Sequence, residues 1–266
     1  MPAKKDGRGK HWVEMETLIP GTPEQVWQAM CTGPGMSTWF TPATVEERVG
    51  GALSFDMGES TSKGIVTAWE PPRLFGYVEQ DWMPGAPPVA TELTIAARAD
   101  GKCVVRMVHS LFASTDEWDD QLESFESGWA GFFEVLKLYL KHFAGRKAVP
   151  FNAMKAAQGD TLAVWKRLIA TAGIAGVDVG ERRKTSALPE PLDGIVEQVR
   201  QDDRFRYVIL RISAPFDGIA IFGTYVNADD STTSGAWTWV YGDDAAAVVA
   251  AHGPKWRQFV ETIASG

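Results

Sequence analysis

Residues 121–143 read QLESFESGWAGFFEVLKLYLKHF. Leu122, Phe125, Trp129, Phe132, Leu136, Leu140 and Phe143 recur at spacings of three or four, which predicts a long helix with one apolar stripe. Such a stripe needs a broad apolar surface beneath it. Gly128 and Gly131 interrupt the stripe at a cost of about 1 kcal/mol each relative to alanine. They predict either a close approach of another backbone or a bend.

Upstream of this helix the period changes. VEMETLI at 13–19 alternates and stops at PGTPEQVWQAM. There Thr22 as N-cap, Pro23 in the first turn and Gln25 at the third position predict a short helix from Pro23 to Cys31. TGPGMSTWFTP reads as a loop. The pieces VEERV, ALSFDM, GIVTAW, LFGYVEQDW, TELTIAARA and CVVRMVHSLF then read as strands. GG, GES, EPPR, MPGAPP and ADGK separate them, each with turn chemistry. A strand, a short helix, a run of antiparallel strands and a long helix, in that order, favour a curved antiparallel sheet carrying the helix on its concave face. On the last strand Cys103, Val105, Met107, His109 and Leu111 share one face.

The whole chain bounds the function classes. Its 266 residues suffice for two domains with real cores, and 45% hydrophobic with 11% aromatic content is globular. The start, MPAKKDGRGKHW, is basic without an apolar core and reads as a flexible leader over 1–12 rather than a secretory signal. Two distant cysteines fit a reducing compartment, so the expected location is cytoplasmic. A formal net charge of −8 argues against nucleic acid or an anionic membrane as partner.

The strings IPGTPEQVWQAM, TWF, VEERVGGALSF, GIVTAWEPPRLFGY, ADGKCVVRMVHSLF and SGWAGFFEVLKLYL together resemble the SRPBCC or START-like helix-grip superfamily. Within it they fit the AHSA-like branch, related to the C-terminal domain of the heat-shock-protein ATPase activator. The resemblance covers about 13–143. Its most telling pieces are the VGG turn at 49–51, the EPPRL corner at 70–74 and the GWAGF helix start at 128–132. It implies fold strongly and function weakly, because one such fold hosts many functions.

Beyond the helix the first half repeats. GIVEQVRQDDRFRYV at 194–208 lies over GIVTAWEPPRLFGYV at 64–78, with Gly, Ile, Val, Phe, Tyr and Val coinciding at one offset of 130. The same offset lays Val179-Gly180 on Val49-Gly50. DTLAVW resembles TPEQVW, and WRQFVETI resembles WAGFFEVL. FNAMKAA lacks clean alternation, and Pro254 reads as a first-turn residue of the last helix. The expected fold class is α+β, with two helix-grip domains, each a curved antiparallel sheet wrapped around a long C-terminal helix, the second reduced. The boundaries are a domain at 13–147, a linker at 148–159 and a degenerate second domain at 160–266.

No metal set, phosphate loop or nucleophile elbow is visible, the four histidines stand apart, and no cofactor is implied. Two polar residues fall near the expected interior. Glu79, with Asp81, shares a face with Phe75 and Tyr77, and is either inward or solvated at the rim. His109 is inward by parity, either as a satisfied core histidine or as a ligand-reading one. The aromatic set of Trp39, Phe55, Phe75, Tyr77, Trp129, Phe132 and Phe133, with Met107 and Leu136, is either plain core or a cavity lining. As the resemblance implies, the lining would hold a small hydrophobic or aromatic ligand without catalysis. The alternatives are a co-chaperone-like protein-interaction module, with a protein partner or homodimer, and a polyketide cyclase or aromatase-like enzyme. A buried Glu79–His109 pair would favour the last.

Overall fold

Thr22 opens the first helix as its sequence predicts. In the computed structural model, α1 (Pro23–Cys31) is held by a capping box. The Thr22 hydroxyl accepts from the Gln25 N–H (3.3 Å) and the Gln25 side chain accepts from the Thr22 N–H (2.9 Å). The structure describes residues 3–58, 60–80, 82, 85–113, 115–185, 190–227 and 230–266. The chain divides into two compact units, Met1–Ala144 and Gly145–Gly266.

In the first unit β1 (Lys4–Lys5) and β2 (Lys10–Pro20) precede α1. After it come α2 (Gly33–Met36), β3 (Ala43–Val45), β4 (Ala52–Asp56), β5 (Thr61–Glu70), β6 (Leu74–Glu79), β7 (Val89–Arg98), β8 (Lys102–Phe112) and α3 (Asp119–His142). The sheet runs β1-β2-β8-β7-β6-β5-β4-β3, antiparallel throughout, and α3 packs over β2 and β8. In the second unit the order is β9 (Ala148–Ala157), α4 (Thr161–Thr171), β10 (Arg182–Lys184), β11 (Asp193–Gln201), β12 (Phe205–Ala214), β13 (Gly218–Val226), β14 (Thr232–Tyr241) and α5 (Ala245–Ser265). Its sheet runs β10-β11-β12-β13-β14-β9, with α5 over β9 and β14. Both units therefore pair the strand before their first helix with their last strand and lay the long helix on that pair. Eight strands against six make the second the reduced version.

The repeat is also written in single hydrogen bonds. Gly50 N–H donates to Val66 C=O (2.8 Å) and Val66 N–H to Gly51 C=O (2.8 Å). Gly180 N–H donates to Val196 C=O (2.7 Å) and Val196 N–H to Glu181 C=O (2.9 Å). Gly50 and Gly180 both take positive φ, 78° and 87°, where a side chain is disfavoured. Each following strand carries a bulge at the same place, between Val66 and Ala68 and between Val196 and Gln198.

Past the hairpin turn the sequence coincidence misleads. Residues 71–73 separate the pair Glu70↔Leu74, but residues 201–206 separate Arg200↔Tyr207. The extra residues are odd in number, so every side chain on β12 changes face relative to the alignment by sequence. Phe75 and Tyr77 point into the first grip, whereas the inward residues of β12 are Val208, Leu210 and Ile212. Tyr207 and Phe205 instead lie against Arg200, whose guanidinium carbon is 5.9 and 5.3 Å from their rings.

Several expectations need correction. Residues 148–159 are not a linker, since β9 pairs with β14 along its whole length and the second unit begins at Gly145. Weak alternation hid it because β9 is an edge strand, where even Pro150 is tolerated. Residues 1–12 are not simply a leader. The N-terminal strands join the sheet, and the Lys5 ammonium meets Asp116 (2.8 Å) and Asp119 (2.6 Å). Pro254 lies inside α5 rather than in its first turn. Gly128 faces open space, with nothing within 4 Å of an added Cβ among the described residues, so no backbone approaches it.

The glycines that do meet a backbone are Gly64 and Gly194. A Cβ there would lie 2.5 Å from Val78 O and 2.4 Å from Arg211 O. Gly64→Ala and Gly194→Ala should each lower stability by about 2 kcal/mol or more, read from urea unfolding midpoints. Gly128→Ala should raise it by up to about 1 kcal/mol through helix propensity alone.

Candidate ligand site in the first unit

The burial of α3 changes along its length. Leu136 is fully buried, as are Leu122 and Val135, and Phe133 and Phe143 are nearly so. Phe125, Trp129 and Phe132 are only half-buried. Trp129 is thus partly open, whereas its counterpart Trp256 on α5 is 3% exposed. Gly128 beside it adds no side chain to close the gap.

These half-buried rings form a seam with others of the same kind. Trp129 lies 4.8 Å from Phe40 and 6.2 Å from Trp39, and Phe40 lies 5.0 Å from Phe132. Farther along, Phe125 lies 5.2 Å from Trp82, which in turn is 6.1 Å from Trp118. Phe40, Trp82 and Trp118 are half-buried too. Behind the seam is a cavity of about 10 Å³, room for one water, lined by Met30, Met36, Trp39, Phe40, Phe55, Tyr77, Leu93, Met107 and Trp129. Five residues singled out from the sequence, Trp39, Phe55, Tyr77, Met107 and Trp129, therefore meet at one place. Phe75 packs one layer away, 5.3 Å from Tyr77 and 6.3 Å from Trp27. Phe132 and Phe133 flank Trp129 at 6.0 and 5.7 Å. Phe40 was missed because it sits in a loop without periodicity, and Met30 because a helix end hides its direction.

The polar candidates separate. Glu79 bonds Ser62 through its side chain, and burial raises its pKa. His109 Nδ1 lies 2.9 Å from Thr91 Oγ1, and Thr91 also bonds the Tyr77 hydroxyl. Tyr77, Thr91 and His109 stand opposite one another on β6, β7 and β8, all at most 4% exposed. Desolvation pushes His109 down to about 3, so it is neutral at ordinary pH. Glu79 and His109 thus bond different partners rather than each other. Asp81 lies outside the described residues.

One further cluster was invisible in sequence because its members are far apart. Ligand atoms of His11, Asp116 and Asp119 lie within 4.8 Å of one another. His11 Nδ1 is 2.6 Å from Asp119, and the Lys5 ammonium already stands between the two carboxylates as their cation. Both cysteines are buried, and burial raises the Cys31 thiol well above its usual range. No helix among the described residues is long and apolar enough to cross a membrane.

Trp129→Ala should cost less than half as much stability as Trp256→Ala, for which about 3–5 kcal/mol is expected. Paired denaturant titrations check this. The pH dependence has a definite sign. His109 holds its proton less tightly in the fold than in the unfolded chain. Its contribution is therefore complete above about pH 7 and lost as pH falls from about 6.5 toward 3, at up to about 1.4 kcal/mol per pH unit. Glu79 acts oppositely, its contribution being lost as pH rises through its raised pKa. The difference in stability between wild type and His109→Asn across that range isolates the histidine.

Among solved structures the chain is similar to the di-domain aromatase/cyclase BexL of the BE-7585A biosynthetic pathway, at 12% identity and a TM-score of 0.46 over 95% of this chain and 93% of that one. It is also similar to CalU16 from Micromonospora echinospora (19%, TM-score 0.43, 53% and 83%) and to the Aha1 dimer from Colwellia psychrerythraea (21%, TM-score 0.41, 50% and 98%). No curated protein matches. The family model for Activator of Hsp90 ATPase homolog 1-like protein matches residues 20–141, nearly the whole of the first unit. Residues 20–141 thus match the model of that AHSA-like family, and the second unit has a reduced helix-grip architecture of its own.

Proposed function

We propose that the first unit binds a small hydrophobic or aromatic molecule between its sheet and the N-terminal half of α3, without catalysis. The observation that carries this reading is the half-buried aromatic seam formed by Phe40, Trp82, Phe125, Trp129 and Phe132. A fold closed for stability alone gains by burying such rings fully, at about 25 cal/mol per Å². The water-sized void behind the seam is too small for a ligand as it stands. Its walls include Met30, Met36 and Met107, whose unbranched side chains re-pack easily, so a flat ligand enters by displacing rings and thioethers rather than filling an empty chamber. The second grip lacks this opening where Trp256 is buried against Phe222 (5.7 Å).

The family description favours one other reading, a module whose occupant is a protein, either a partner or a second copy of the chain. A titration separates the two. The full chain, kept native by near-UV circular dichroism, should bind the apolar dye Nile red saturably, and Trp129→Ala should weaken binding about tenfold. No saturable binding by the native chain would leave the protein-interaction reading.

A further inference from the structure

The polar row at the base of the seam has no structural necessity. At the equivalent strand register in the second grip, Tyr77, Thr91 and His109 are replaced by Leu210, Ala220 and Thr238. The assignment follows the bulge and the pairing, since Val66 faces Tyr77 and Val196 faces Leu210. A grip of the same design in the same chain thus closes without the imidazole and the phenol.

The row is also incomplete. His109 Nδ1 is used by Thr91, but Nε2 is buried and has no hydrogen-bond partner among the described residues. A buried polar nitrogen left unpaired is destabilising. Other buried polar atoms, Thr238 Oγ1 among them, also lack a partner among the described residues, and what sets this one apart is the place of its ring against the seam. The imidazole lies 5.1 Å from Phe125 and stacks on Trp129 at 5.9 Å and 18°. Both of those rings belong to the half-buried seam. The unpaired nitrogen therefore belongs to a ring packed against the rings that a ligand must displace.

We infer that His109 Nε2 is the hydrogen-bond anchor of the site, and that the ligand is a flat aromatic molecule bearing a hydroxyl. This rests on the ligand-binding reading above and adds the chemical class. A hydroxyl suits the nitrogen in either tautomer, accepting from Nε2–H or donating to its lone pair, whichever way the Tyr77–Thr91–His109 row is oriented. The aromatic body follows from the walls, where Trp129 and Phe125 offer ring faces.

The probes are 1-naphthol and naphthalene, titrated into the full chain by tryptophan fluorescence and calorimetry. The variants are His109→Gln, which keeps a polar group near the Nε2 position, and His109→Asn, which keeps only the one facing Thr91. In wild type and His109→Gln the ratio of naphthalene Kd to naphthol Kd should be about five- to tenfold higher than in His109→Asn, with naphthalene binding unchanged within about twofold. Binding of both probes with the same ratio in all three proteins would overturn the anchor and leave the ligand site standing. Failure of either probe to bind native wild type would remove the site itself, and this inference with it. If the variants do not fold, the ¹⁵N resonance of His109 Nε2 in wild type decides. It should shift with 1-naphthol and not with naphthalene, and equal response to both overturns the proposal.

Discussion

The contact on which both grips depend is a backbone pressed against a backbone. Gly64 lies so close to Val78 that a Cβ would stand 2.5 Å from its carbonyl oxygen, and Gly194 repeats this against Arg211 at 2.4 Å. With the bulge two residues later, this approach fixes how the central hairpin is paired and which side chains enter the concave face. Everything inside follows from that register. In the first unit it delivers Phe75 and Tyr77 to the interior. In the second, a longer turn delivers Val208 and Leu210 instead, and the aromatic residues go to the other face.

The two interiors then diverge under the same architecture. The second is filled by aliphatic side chains and by Trp256, Phe259 and Ile263 of α5, joined by Trp165 of α4. In the first, several rings stand half-buried along the edge of α3 with a small void behind them. Its polar row adds a hydrogen-bonding floor beneath an apolar wall, the usual composition of a site that orients a small molecule. On the ligand-binding reading proposed above, stability and binding pull in opposite directions here. Sealing the seam would bury more apolar surface, while leaving it open keeps an entry.

Electrostatics tie down the start of α3. Asp119 and Asp120 occupy its first turn, where negative charge is favoured by the helix dipole. Lys5 bonds Asp116 and Asp119, His11 bonds Asp119, and the Ala3 N–H donates to Glu123. The basic N-terminal residues are thereby counter-charges for an acidic helix start. These attractions hold the half of α3 that the apolar stripe leaves least buried.

By itself the sequence determined most elements of the first unit and their order. The capping box at Thr22, the turn chemistry between strands, the period of α3 and the two VG turns are local signals, each contained within a few residues. Local chemistry also sufficed to announce the repeat through Gly64 and Gly194. Only the tertiary structure decided what lies far apart along the chain: the pairing of β9 with β14, the salt-bridged N-terminus, the changed face of Tyr207, and Phe40 meeting Trp129. It also decided how much space remains among the aromatic residues that the sequence singled out. Residue type sets polarity and size, but a void, or a nitrogen such as His109 Nε2 left without a partner, is a property of how surfaces from distant segments fail to meet.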